Sequence, residues 1–195
     1  MSRLPFAALA CLLPLVALAN PQTYVVDPIH SLPHFAINHL GMTTIQGRFD
    51  KMSGKIVLDQ AAKAGSLEAR IATASVSTGD AKRSDGLRAR DEHLRSADFF
   101  NSTEFPEMVY KSTKFNFNGD AVESVDGTLT LLGVTKPVKL NFTSFKCGPH
   151  PFTKKPMCGA TAEATIKRSD FGMKFGVPAI SDDVKLLIGV EAYQE

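Results

Sequence analysis

From Tyr24 onward, hydrophobic positions recur at every second residue. In GTLTLL at 127–132, Leu129 and Leu131 alternate with Thr128 and Thr130; in PVKLNF at 137–142, Val138, Leu140 and Phe142 alternate with Lys139 and Asn141. The pattern returns at 160–167, where Ala160, Ala162, Ala164 and Ile166 share a side, and at 184–192, where Val184, Leu186, Ile188, Val190 and Ala192 do. A period of two is that of a strand with one wet face. Further strands are predicted at 24–27, 32–38, 44–50, 54–58, 66–77 and 106–117, separated by Gly, Asp, Asn and Ser. Polar outer faces exclude a parallel α/β sheet, whose strands are buried on both sides. The chain reads as all-β and antiparallel, a barrel of about eight strands or a sandwich. Helical pattern is confined to about 80–97, DAKRSDGLRARDEHLRSA, with Leu87 and Leu94 at i and i+7. Such a segment caps a barrel but cannot fill one. No internal repeat appears, so residues 20–195 are expected to form one domain.

The predicted inner face carries Phe35, Ile37, Ile71, Phe115, Leu129, Leu131, Leu140, Phe142 and Ile188 beside small residues, notably Ala162 and Ala164, with Leu67, Ala69 and Thr73 in the row of Ile71. Two meanings stay open. The small residues leave lateral room in a tube, or they complement large neighbours in a filled core.

The first stretch, MSRLPFAALACLLPLVALA, changes the picture of where the protein works. It has a basic residue, Arg3, then an apolar run, then the small-x-small pattern Ala17-Leu18-Ala19. Residues 1–19 read as a cleaved secretory signal, Cys11 being discarded with it. The run Leu4–Ala19 contains Pro5 and Pro14 and is short of the ~20 apolar residues a span needs, so no stable membrane span is expected after removal. The chain holds 22 basic residues, Arg3 among them, against 20 acidic ones. Apart from Lys82-Arg83, Arg88 and Arg90 the basic residues are scattered, which argues against nucleic acid as a partner. Cys147 and Cys158 flank GPHPFTKKPM, and in an exported chain a disulfide closing this loop is expected. A metal pair with His150 is the alternative, but it lacks both a fourth ligand and the short CxxC spacing of zinc sites.

The densest cluster of ionisable groups is RDEHLRSADFF at 90–100. A catalytic reading makes His93 a general base oriented by Asp91 or Asp98, with Arg90 or Arg95 facing developing negative charge. It lacks a nucleophile: Ser96 is near, but no GxSxG elbow occurs. A structural reading inserts Phe99 and Phe100 into the barrel end with the charges paired around them. Between the two, Arg90, His93 and Arg95 face the pyrophosphate or carbonyl of a ligand head, since the arginine fork suits phosphate. His30 and His34 share a strand face but lie about 13 Å apart at ~3.3 Å per residue, too far for one metal. His30 and His39 read as turn residues that bond backbone groups. In KRSDFGM, Arg168 is expected to pair with Asp170 or face the head group, and Phe171 to line the interior.

Longer strings carry a resemblance. YVVDPIHSLPHFAINHLGMTTIQGRFDKMSGKIVLD at 24–59, RDEHLRSADFFNSTEFPEMVYKST at 90–113, GTLTLLGVTKPVKL at 127–140 and IKRSDFGM at 166–173 closely resemble the YceI-like family. That resemblance implies a lipocalin-like antiparallel barrel, export to the bacterial periplasm, and an extended lipid such as a polyisoprenoid or isoprenoid quinone held inside. It implies no reaction, and no cofactor or metal is expected. The function expected is therefore sequestration or carriage of a long-chain isoprenoid or similar amphiphile. The alternatives are an enzyme acting on a lipid head group through His93, and a dry-cored protein-interaction module.

Overall fold

The computed structural model describes residues 20–195, so the signal expected over 1–19 lies outside the described residues. The chain forms strands β1 (Gln22–Val26), β2 (Pro33–His39), β3 (Thr43–Phe49), β4 (Met52–Asp59), β5 (Ala64–Ala72) and β6 (Val76–Ser77). There follow a helix α1 (Arg90–Arg95) and strands β7 (Glu107–Asn118), β8 (Ala121–Leu131), β9 (Val134–Pro149), β10 (Pro156–Lys167) and β11 (Ile180–Gln194). All pairings are antiparallel, and β1-β4-β5-β7-β8-β9-β10-β11 closes on itself as an eight-stranded barrel through Tyr24↔Gln194. Closure removes the exposed edges that an open sheet would present.

The short strands β2, β3 and β6 continue β1, β4 and β5 past one end of the barrel, with β2 paired to the first half of β11. The break between β1 and β2 follows from Pro28 and Pro33, which cannot donate to a ladder. A side chain takes the ladder's place there: Ser31 Oγ, fully buried, donates to Glu191 O and accepts from Glu191 N–H at 3.1 and 3.0 Å. The predicted strand 66–77 is likewise interrupted, by a 3-10 turn at Thr73–Ser75. Thr73 faces the segment 78–106 rather than the interior, donating Oγ1–H to Phe105 O at 2.7 Å and its N–H to Pro106 O at 2.9 Å.

The helix expected over 80–97 is only six residues long, Arg90–Arg95. Its first half stays irregular because Asp85 bonds locally, accepting from Arg83 and from Leu87 N–H, and Gly86 takes φ +75°. Leu87 is consequently exposed while Leu94 packs on the core. Within the wall, Tyr110 lies over Gly127 and its hydroxyl is 3.1 Å from Val125 O and 3.0 Å from Val138 O. A Cβ at Gly127 would come within 2.4 Å of that oxygen, so only glycine admits the buried phenol.

One seam interrupts the barrel. The β9–β10 ladder runs from Pro149↔Pro156 to Asn141↔Glu163 and stops, leaving 134–140 of β9 bonded to β8 alone and 164–167 of β10 bonded to β11 alone. A 3-10 turn, Arg168–Phe171, packs into this gap, and Phe171 is among the most fully buried side chains. At the opposite end of the same strand pair, Cys147 and Cys158 are directly opposite, with Cα atoms 4.0 Å apart, and form the expected disulfide.

Candidate functional site: an apolar bore closed by aromatics

The interior is not filled by the protein's own side chains. A cavity of about 370 Å³ runs through the barrel, within the ~300–1,000 Å³ typical of ligand sites. Its wall includes Phe35, Ile37, Ile71, Phe115, Leu129, Leu131, Leu140, Phe142, Ala162 and Ile188, all expected from the alternation. Ala160, Leu67 and Ala69 join them. Of the small residues, Ala69, Ala160 and Ala162 border this open space, whereas Ala164 and Thr73 do not.

Two expected wall residues are elsewhere. Ala164 and Phe171 sit on the β9–β10 seam beside Pro137 and Lys139, in a separate surface depression. Alternation alone places Ala164 on the inner face; it lies just past the last β9 rung at Glu163, where it borders the gap beside Phe171.

Polar groups line the bore mainly at the end where α1 lies: Thr78, Arg90, His93 and Arg168, with His34 and His39 from β2. Helical spacing explains the selection. Arg90, His93 and Leu94, at i, i+3 and i+4, share the face toward the bore. Asp91 and Arg95 share the opposite one. Arg95 is thus absent from the cavity wall, and its Nε is buried with no hydrogen-bond partner among the described residues. Asp91, 1% exposed, accepts Thr78 N–H at 2.8 Å and Thr78 Oγ1–H at 2.6 Å, which ties α1 to β6. Asp98 is therefore the carboxylate that orients His93, 2.8 Å from its Nε2. Ser96 Oγ donates to the His93 carbonyl at 2.7 Å and does not face the imidazole. Arg90 is held loosely, 3.8 Å from Asp80 Oδ2.

Aromatic rings close this end. The His93 ring meets Phe99 and Phe175 edge-on at centroid distances of 5.0 Å each, and Phe49 meets Phe100 at 5.2 Å. Phe99 and Phe100 both line the bore, as the structural reading of RDEHLRSADFF expects. Phe175 is the member of this closure that sequence pattern does not reveal, because it belongs to the irregular loop after Gly172.

Arg168 lines the bore and is 2% exposed, but four of its five N–H donors are engaged by backbone carbonyls. Nε donates to Ser181 O, Nη1 to Met173 O and Phe175 O, and Nη2 to Ile180 O, at 2.8 to 3.2 Å. Burial pulls the guanidinium below its usual range and Asp182 partly restores it. It is a staple for the loop 172–181, not a partner of Asp170; the nearby Ser169 N–H and Oγ–H go to Asp182 instead.

His30 also departs from expectation. Its Nδ1 lies 2.7 Å from the Asp27 carboxylate and 3.9 Å from Glu191, on the outer face, rather than bonding backbone. The hydrogen bond to Asp27 raises the imidazole's affinity for its proton. His39 makes no side-chain hydrogen bond among the described residues and sits at the bore's edge.

A closed antiparallel barrel with a hollow apolar interior and a short helix at one end defines a lipocalin-like barrel. The chain belongs to the YceI family: the model of the YceI-like domain matches residues 24–192. Protein YceI of Shigella flexneri is 37% identical over 167 residues, 85% of this chain and 83% of the relative. Among solved structures, BcnA of Burkholderia cenocepacia superposes with a TM-score of 0.67 at 22% identity, covering 85% of this chain and 98% of that one. A polyisoprenoid binding domain from Saccharophagus degradans superposes with a TM-score of 0.61 at 17% identity, covering 89% and 99%. Both share the fold.

Proposed function

We propose that the protein is exported to the periplasm and binds one long-chain isoprenoid or similar amphiphilic lipid inside the barrel, as a carrier or store and not as an enzyme. The observation that carries this reading is the unfilled bore walled almost wholly by hydrocarbon. Burying only ten CH₂ equivalents of a tail at ~0.8 kcal/mol each gives ~8 kcal/mol, on the micromolar scale before the costs of association and ordering. The tail supplies affinity with little discrimination; Arg90 and His93 at the α1 end select the head. The polyisoprenoid binding described for the Saccharophagus degradans domain agrees with a cargo of this class. Export is supported by the Cys147–Cys158 disulfide, which persists in an oxidising compartment. Binding rather than catalysis is supported by Ser96, whose hydroxyl is engaged by backbone.

Native mass spectrometry of the purified protein followed by solvent extraction is expected to yield one apolar molecule per chain. Ala162→Phe places a ring in the bore, so bound lipid is expected to fall while the fold survives. An empty wild-type protein that takes up no long-chain lipid refutes the proposal.

A further inference from the structure

The α1 end of the barrel carries an apolar platform on its outside. The turn between β2 and β3 presents Leu40 and Met42, 52% and 83% exposed, and the neighbouring loop presents Phe175 and Val177, 46% and 38% exposed. These two segments are one surface: Leu40 N–H donates to Ala179 O at 2.8 Å, and His39 pairs with Ile180. The platform is also continuous with the bore, since His39, Phe175 and Ile180 line the cavity from within.

Two local preferences are broken to make it. Large apolar side chains stand in water, where a compact chain places few contiguous ones. In addition, Leu40 takes φ +57° ahead of Gly41 at +70°, a turn conformation that Asn or Gly adopts at little steric cost and leucine does not. The turn backbone is held by Gly41 N–H on Asn38 Oδ1 and Leu40 N–H on Ala179 O, and the like-shaped Leu132-Gly133 turn also tolerates a leucine at positive φ. What stays uncovered at 40–42 and 175–177 is contiguous apolar area, and that marks a surface for an outside partner.

From this we infer that the platform docks on a lipid bilayer, with the 40–42 turn and the 175–177 loop entering the headgroup region and the bore opening toward the membrane. This rests on the reading of the bore as a lipid compartment. The occupant follows from continuity and charge. A surface that runs into a hydrocarbon-lined cavity matches an apolar phase, and the segments 39–43 and 172–180 contain no carboxylate that anionic headgroups would repel. Their single formal charge is Lys174, which has no ion-pair partner among the described residues and suits a lipid phosphate.

The chain contains no tryptophan, so Met42→Trp introduces a single reporter on the full protein. With vesicles of phosphatidylethanolamine and phosphatidylglycerol, the indole emission of this variant is expected to shift to the blue, and wild-type protein to float with the vesicles. Met42→Glu and Val177→Glu, each checked by circular dichroism, are expected to lower vesicle partition at least about tenfold while extractable cargo stays bound. Unshifted emission from the Met42→Trp variant, or flotation of both charged variants equal to wild type, overturns the inference. So does a wild-type dimer in sedimentation velocity that ignores vesicles and that Met42→Glu dissociates, which assigns the platform to a second copy. Docking by a protein that yields no cargo supports the platform and refutes the cargo reading; cargo without docking does the reverse.

Discussion

Phe35 of β2 lies across Gly47 of β3, its register partner, so closely that a Cβ at position 47 would sit 2.3 Å from the ring's Cζ. The ring is thereby laid along the sheet, 5.8 Å from Phe49, instead of standing into the bore. Gly47→Ala forces Phe35 off its seat. It is expected to lower stability by about 1–3 kcal/mol, read as a reduced denaturant midpoint, and to reduce bound lipid as the ring tips inward.

Arg168 holds the loop that carries Phe175, Val177 and Met173 by donating to four carbonyls from a nearly dry site. Arg168→Met keeps the length but leaves those carbonyls without donors. A loss of about 3 kcal/mol or more is expected in equilibrium unfolding, and Arg168→Lys rescues little because an ammonium cannot reproduce the planar fork.

The Asp91 carboxylate anchors α1 to the chain leaving β6 by accepting both the N–H and the hydroxyl of Thr78. Asp91→Ala strands the N–H and hydroxyl of the half-buried Thr78 at a cost of about 1–3 kcal/mol. Hydrogen exchange is expected to accelerate around 78–95 with the strands of the barrel protected, because the Asp91–Thr78 bonds tie α1 to the chain leaving β6.

The Asp27–His30 pair gives a pH signature with two limbs. Burial pushes the Asp27 carboxyl up, but hydrogen bonds from His30 and from Ile29 N–H outweigh it and the net shift is down; the Asp27 hydrogen bond shifts His30 up. A raised histidine stabilises the fold below its unfolded value, near 6.5, and that contribution is lost as pH climbs through the folded value above it. A lowered carboxylate stabilises above its unfolded value, and that contribution is lost as pH falls through the folded one. The pair is therefore most stabilising between these limits. NMR titration is expected to place His30 above the ordinary histidine value in the wild type and lower in Asp27→Asn, with Glu191 keeping part of the rise.

Strand alternation made most of the bore legible, because a residue's face follows from parity alone wherever the ladder is continuous: Leu129, Leu131, Leu140 and Ile188 all fall where period two puts them. The disulfide was legible from two cysteines in an exported-looking chain. Legibility failed where tertiary contacts replace the ladder. Ala164 has the right parity, but its β9 neighbours have drawn away. Arg168 looks like a head-group ligand in sequence and is consumed by carbonyls brought from 173–181. Arg95 lies two residues from His93, and on a helix two residues rotate about 200°, which puts on opposite sides what one dimension places together. Phe175 and the platform around it come from turn and loop segments whose partners no local pattern names.

The split between β9 and β10 bears on how choosy the vessel is. No rung crosses it beyond Asn141 and Glu163, while the sulfur bridge clamps the far end of the same two strands. The pair is a clothes-peg with its spring at one end and Phe171 as a soft wedge in its jaws. Widening the girth there breaks no rung between these two strands, so under the proposed lipid-binding function this seam is the part of the wall that yields at the least cost to a thicker occupant.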